Sequence, residues 1–140
     1  MRLEHLAQIL VGRFGIAISA GENACTAMEF SRLIDAVTYS QPSVTKVGGI
    51  TEFAKVCDLS AAAGKMVMPH SPYFGPGYWA TLQLAAARPE AGLFEYLYIS
   101  QEAVIDETMP RPERGVLAIP DLPGIGCTPD PKVIARYRIG

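Results

Sequence analysis

Pro42-Ser-Val-Thr-Lys-Val-Gly-Gly49 is a β-branched run that opens on a proline, carries one lysine near its end and stops at a glycine pair. It reads as a buried strand over 43–47 followed by a tight turn. Residues 51–63 come next, with Phe53, Val56, Cys57 and Leu59 turned inward and Gly64 as the stop, the pattern of an amphipathic helix. Strand, turn and helix together make one βα unit.

The unit repeats on both sides. Gly21-Glu-Asn23 lies upstream, Met68-Pro-His-Ser71 downstream, and Phe94-Glu-Tyr96 beyond that. Taking Glu22, Lys46, His70 and Glu95 as markers, the steps are 24, 24 and 25 residues. A strand, a loop and a helix need about this much chain. In a (β/α) barrel successive strand ends converge on one face, and that face carries the chemistry. The rhythm therefore gathers two carboxylates, an ammonium and an imidazole around one pocket.

Working upstream, Leu3, Leu6, Ala7, Leu10 and Val11 form a helical stripe over 3–13, closed by Gly12 and Gly15, and 14–19 reads as a strand. Thr26, with Glu29 three residues on, is a capping box for a helix through Phe30, Leu33, Ile34 and Val37. Working downstream, 65–69 is a strand, 75–87 a helix and 93–99 a fourth strand. The expected fold is α/β: four parallel strands with their helices, half of a TIM-like (β/α) barrel over residues 1–100. A full barrel takes eight strands and roughly 250 residues. Residues 101–140 leave the rhythm, with a turn-rich connection at 109–115, a short strand at 116–119, an irregular loop at 120–126 and a helix over 129–137. They are expected to pack on the barrel unit as an irregular C-terminal tail.

With 140 residues, 49% hydrophobic and 19% charged, the composition is that of one globular domain. A net charge of −2 and the lack of a basic stripe argue against nucleic acid as a partner. Apolar runs are broken well before membrane-spanning length, and the charged start Met1-Arg-Leu-Glu-His is not a signal peptide. Cys25, Cys57 and Cys127 share no metal-type spacing, which suits reduced thiols in a cytoplasmic protein.

Ala20-Gly-Glu-Asn23, Pro42-Ser-Val-Thr-Lys-Val-Gly-Gly-Ile-Thr51, Pro69-His-Ser71 and Ile119-Pro-Asp-Leu-Pro-Gly-Ile-Gly126, in this order, resemble the C-terminal half of the mandelate racemase/muconate lactonizing enzyme family of the enolase superfamily. The resemblance runs almost end to end. It implies a magnesium-binding barrel in which a base removes the proton α to a carboxylate and the metal holds the enediolate. Residue by residue, Glu22 matches a metal ligand, His70 the base, and Glu95 the acid that hydrogen-bonds the substrate carboxylate. Lys46 matches a lysine beside the sixth-strand end. The family's histidine is paired with an Asp directly after the proline, and this chain has Ser43 there. A serine hydroxyl can orient an imidazole but adds no charge.

The resemblance further implies a Mg2+ cofactor and a small acid-sugar or hydroxy-acid substrate. The strands bearing the other metal ligands and the opposing lysine have no counterpart here. The expectation is thus a truncated enolase-superfamily protein, inactive as an isolated chain. The alternative is a dehydratase or racemase active once an oligomer or partner supplies the missing half. Open sheet edges favour association, most simply a homodimer completing the barrel. Among the remaining features, Gly48-Gly49 is read as a tight turn rather than a phosphate site, and Asp121 as a turn former. Tyr73, Phe74, Tyr78 and Trp79 either pack the core or line a specificity pocket.

Overall fold

β1 (Ser19–Ala20), β2 (Tyr39–Ser40) and β3 (Met66–Val67) lie side by side in that order and all run parallel. Ser19 is opposite Tyr39, and Tyr39 opposite Met66. The computed structural model describes residues 3–139. Parallel neighbours need a crossover, and helices supply it: α2 (Ala27–Leu33) with a 3-10 turn (Ile34–Ala36) joins β1 to β2, and α3 (Ile50–Ala62) joins β2 to β3. α1 (Leu3–Phe14) precedes the sheet, α4 (Pro76–Ala87) follows it, and α5 (Pro131–Tyr137) lies near the end of the tail. The fold is α/β, a partial TIM-like barrel with a C-terminal tail.

α2 starts where its capping box places it. Thr26 accepts from the Glu29 N–H at 3.2 Å, and the Glu29 carboxylate accepts from the Thr26 N–H at 3.0 Å. Each closes a backbone donor that a helix start otherwise leaves open. Thr26→Ala is expected to cost about 1 kcal/mol of stability, read as a lower urea midpoint with unchanged slope.

Phe30, Val44, Val47, Phe53, Val56, Cys57 and Val67 fill the layer between the sheet and α2 and α3, and Leu84 of α4 joins them. Burial and the neighbouring Glu90 charge push the Cys57 thiol up to about 12, so it stays protonated and packs as a small apolar group. The other face of α4 carries Tyr78, Trp79 and Leu82, which pack with Met109, Leu117, Ile125 and Cys127 of the tail. α4 is buried on two sides because the sheet core covers one and the tail the other.

Asp106 is the centre of that second layer. It is 2% exposed, and its two oxygens accept from Trp79 Nε1 (2.9 Å), Thr128 N (2.7 Å), Thr108 N (2.9 Å) and Thr108 Oγ1 (2.6 Å). Burial opposes the charge, but the bonds from Thr108, Thr128 and Trp79 outweigh it and hold the carboxyl below its usual value. Gly126 passes over the Trp79 ring at φ +91°, where an added Cβ would stand 2.8 Å from ring carbons.

Most of the expected strands are shifted, shortened or missing among the described residues. The run at 43–47 is a series of turns, and the strand lies earlier, at Tyr39–Ser40. Lys46 N and Val47 N both donate to Ser43 O, at 3.1 and 2.9 Å, and Gly49 N to Val44 O at 3.0 Å. The buried residues there are Ser43, Val44 and Val47, and the two valines lie three apart, a helical step rather than an alternation. The expected strand at 14–19 shrinks to its last residue plus Ala20, because α1 continues through Gly12 to Phe14, which is 58% exposed. The expected fourth strand, 93–99, forms no ladder among the described residues. Phe94 and Tyr96 pack edge-on against Tyr78 instead, with ring centroids at 5.4 and 6.3 Å. The expected strand at 116–119 is reduced to one bridge between Glu113 and Val116.

Cys25, Cys57 and Cys127 are free, and among the described residues no helix is long and apolar enough to cross a membrane.

Candidate active site

The C-terminal edge of a parallel sheet is where strand ends and the following loops meet. β1 ends at Ala20, and Gly21 turns the chain at φ +125° so tightly against the Phe30 ring that an added Cβ would collide with it. That turn projects Glu22 above the edge. β3 ends at Val67, and buried Pro69 leads to His70, whose N–H donates to Pro42 O at 3.0 Å. That backbone bond holds residue 70 beside the segment that leaves β2.

His70 sits between two carboxylates. Its Nδ1 is 2.7 Å from Glu95 Oε2 and 3.5 Å from Glu22 Oε2. The ring side chain is 12% exposed, while Glu22 and Glu95 are 49% and 36% exposed. The Glu95 contact has hydrogen-bond length but lies off the line of a ring N–H, so Nδ1 has no aligned partner. Glu95 is held from its other side by the Ser71 N–H, which donates to Oε2 at 3.2 Å. It can reach the site because Phe94 and Tyr96 turn the opposite way, onto Tyr78.

Lys46 does not touch His70 or Glu95. Its Nζ donates to Asn23 Oδ1 at 3.0 Å, and Asn23 Nδ2 donates to Glu22 Oε1 at 3.3 Å. Lys46 thus bears on the cluster only through Asn23 and Glu22. Ser43 is fully buried, and its hydroxyl bonds to Tyr73 Oη and, at 3.2 Å, to Thr45 Oγ1. Tyr73 in turn stands edge-on to His70, with ring centroids 6.1 Å apart. So the structure gathers Glu22, His70 and Glu95, leaves Lys46 one residue away, and separates Ser43 from the imidazole by a tyrosine.

Asn23, Ser71 and Tyr73 are the neighbours that sequence reasoning did not assign. Asn23 and Ser71 were in view as members of Gly-Glu-Asn and Met-Pro-His-Ser. Tyr73 reads in the sequence only as core or pocket lining, and its bond to Ser43 spans 30 residues.

Clefts of about 800, 500 and 420 Å3 are lined by other residues, Thr45, Tyr73 and Ile105 among those of the largest. Glu22 and Glu95, at 49% and 36% exposed, leave the carboxylate side of the cluster open to solvent.

Residues 1–133 match the family of enolase C-terminal domain-like proteins. The chain belongs to that family. Within it, the sequence is 28% identical over 133 residues to the 3,6-anhydro-alpha-L-galactonate cycloisomerase of Streptomyces coelicolor, covering 94% of this chain and 35% of that protein. It is 35% identical over 69 residues to the D-galactonate dehydratase of Klebsiella pneumoniae, covering 48% of this chain and 18% of that one. The solved mandelate racemase/muconate lactonizing enzyme from Jannaschia sp. CCS1 superposes with a TM-score of 0.77 at 27% identity, over 99% of this chain and 36% of that chain. The chain spans about a third or less of the length of these relatives.

Mg2+ needs near-octahedral oxygen ligation. Among the described residues no group of three His, Cys, Asp or Glu side chains is arranged to hold a metal. Glu22 offers one carboxylate whose Oε1 already accepts from Asn23, and Glu95 Oε2 is engaged by Ser71 and His70. This donor set does not fit the ion by itself, and no step below is routed through it.

Proposed function

We propose that this chain carries one half of an acid-sugar or hydroxy-acid active site of the mandelate racemase/muconate lactonizing type, in which His70 transfers the proton α to the substrate carboxylate. The supporting observation is the placement of a largely buried imidazole between two carboxylates at the C-terminal edge of the parallel sheet. A general base needs a fixed position and an open approach for its substrate, and His70 has both. Acid sugars as substrates come from the relatives, whose names give galactonate-type acids.

The half-site is silent alone. Two carboxylates on an open face exclude little water, and proton abstraction from carbon needs charge stabilisation in a shielded site. The complementary half, on the same polypeptide or in a second copy forming a dimer, would cover it. The outer edges of β1 and β3 have no strand partner among the described residues, and exposed Phe14, Ile16 and Met66 lie near those edges in the chain. A Mg2+ cofactor would then draw its remaining ligands from that half. Three free cysteines suit a cytoplasmic setting.

The test is exchange of the α-proton for deuterium, followed by NMR on D-galactonate and related acids with Mg2+ present. The isolated chain is expected to give none. A chimera with this chain in place of the matching third of the S. coelicolor relative is expected to exchange. Exchange by the isolated chain, or exchange by the chimera that ignores His70→Asn, would sink the proposal.

A further inference from the structure

Ser43 stands where the family resemblance places an aspartate paired with the histidine, and the tertiary structure shows what became of that partnership. The Ser43 hydroxyl is taken up by Tyr73 and Thr45. No carboxylate therefore comes to His70 from the segment after β2. One comes instead from the other side, where Glu95 Oε2 lies 2.7 Å from Nδ1. This is the separation of a charge-assisted hydrogen bond, and Nδ1 has no other hydrogen-bond partner among the described residues.

We infer that Glu95 is the positioning carboxylate of His70 in this chain, replacing an aspartate at position 43, so that Nδ1 carries the proton and Nε2 is left free as the base. This rests on the reading of His70 as the proton-transferring group.

Glu95 rather than Glu22 is assigned on three observations. It is nearer, at 2.7 against 3.5 Å. It is anchored, because the Ser71 N–H fixes the oxygen that faces the ring. It is also the less exposed of the two, at 36% against 49%, so water competes less for it. Glu22 is instead drawn by Asn23 toward Lys46. A carboxylate on one ring nitrogen decides which tautomer the neutral imidazole adopts. Glu95 thus acts through His70 and need not touch the substrate.

The experiment reads the two ring 15N shifts of His70 in the labelled full chain, without substrate, at a pH raised until the ring shifts stop changing. Wild type is expected to show the Nδ1–H tautomer. Glu95→Gln is expected to lose that preference, with the amide spectrum otherwise unchanged, and Glu22→Gln to keep it. An Nε2–H tautomer in wild type, an unchanged tautomer in Glu95→Gln, or its loss in Glu22→Gln overturns the inference. Should Glu95→Gln fail to fold, the wild-type tautomer still decides. An unresponsive tautomer leaves the proposed function standing, whereas a chimera indifferent to His70 overturns that function and leaves the tautomer result intact.

Discussion

His70→Asn is expected to lower α-proton exchange in the assembled barrel by about 10²–10⁴-fold, the range for loss of a positioned general base. Asparagine keeps roughly the shape of the imidazole and a hydrogen-bonding head, so the fold should hold. It has no nitrogen able to accept a proton from carbon, so the loss should fall on turnover rather than on substrate affinity. Lys46→Gln should cost far less, because the ammonium stops at Asn23 and meets the cluster only through Glu22. Initial rates of deuterium incorporation for the two variants, at saturating acid sugar, make the comparison. Equal losses would mean that the ammonium takes part in the chemistry and that its place in the assembled barrel differs from its place here.

Asp106→Ala is expected to destabilise the chain by about 3–5 kcal/mol, the scale for removing one side of a buried charged network. Three of its four partners, Trp79 Nε1 and the backbone N–H groups of Thr108 and Thr128, would lose their acceptor beside the packed face of α4. Asp106→Asn should also destabilise. An amide offers one acceptor oxygen, so whichever way it turns at least one backbone N–H faces an NH2 group.

The loss has a pH signature. The folded-state value of Asp106 is depressed, while an unfolded aspartate titrates near 3.9. The part of its contribution that the charge carries is therefore present above the unfolded value and is lost as pH falls through the folded value. The gap between the urea midpoints of wild type and Asp106→Ala should be widest at pH 7 and narrow below about pH 4. A gap that stays constant into acid would show that the carboxylate's charge contributes nothing and that only its shape matters.

The two sites were unequally legible. Glu22 and His70 were visible because each follows closely on a strand, and the recurrence of about 24 residues is a property of chain length per βα unit. Glu95 was legible for a different reason: alternation turns it away from Phe94 and Tyr96, and this survives although 93–99 never joins the sheet. The run at 43–47 misled because β-branched residues suit strands by composition, whereas spacing decides geometry, and Val44 and Val47 are spaced for a turn of helix. Asp106 left no local mark. Its bonds to Trp79 and Thr128 span 27 and 22 residues, and its neighbours Ile105 and Glu107 look like those of any loop aspartate.

The alternation of helix and strand as far as α4, the parallel α/β class, the capping box of α2 and the placing of Glu22 and His70 just after strand ends were written in the sequence, because each depends on periodicity or on residues a few positions apart. Which atoms meet was not. That Glu95 reaches the imidazole nitrogen while Ser43 turns to Tyr73, and that a buried aspartate fastens the tail to α4, depends on side chains brought together from 24 to 30 residues away. Local preference is blind at that range. There the close packing of the sheet, α4 and the tail leaves each polar group only the partners that tertiary contact brings within reach.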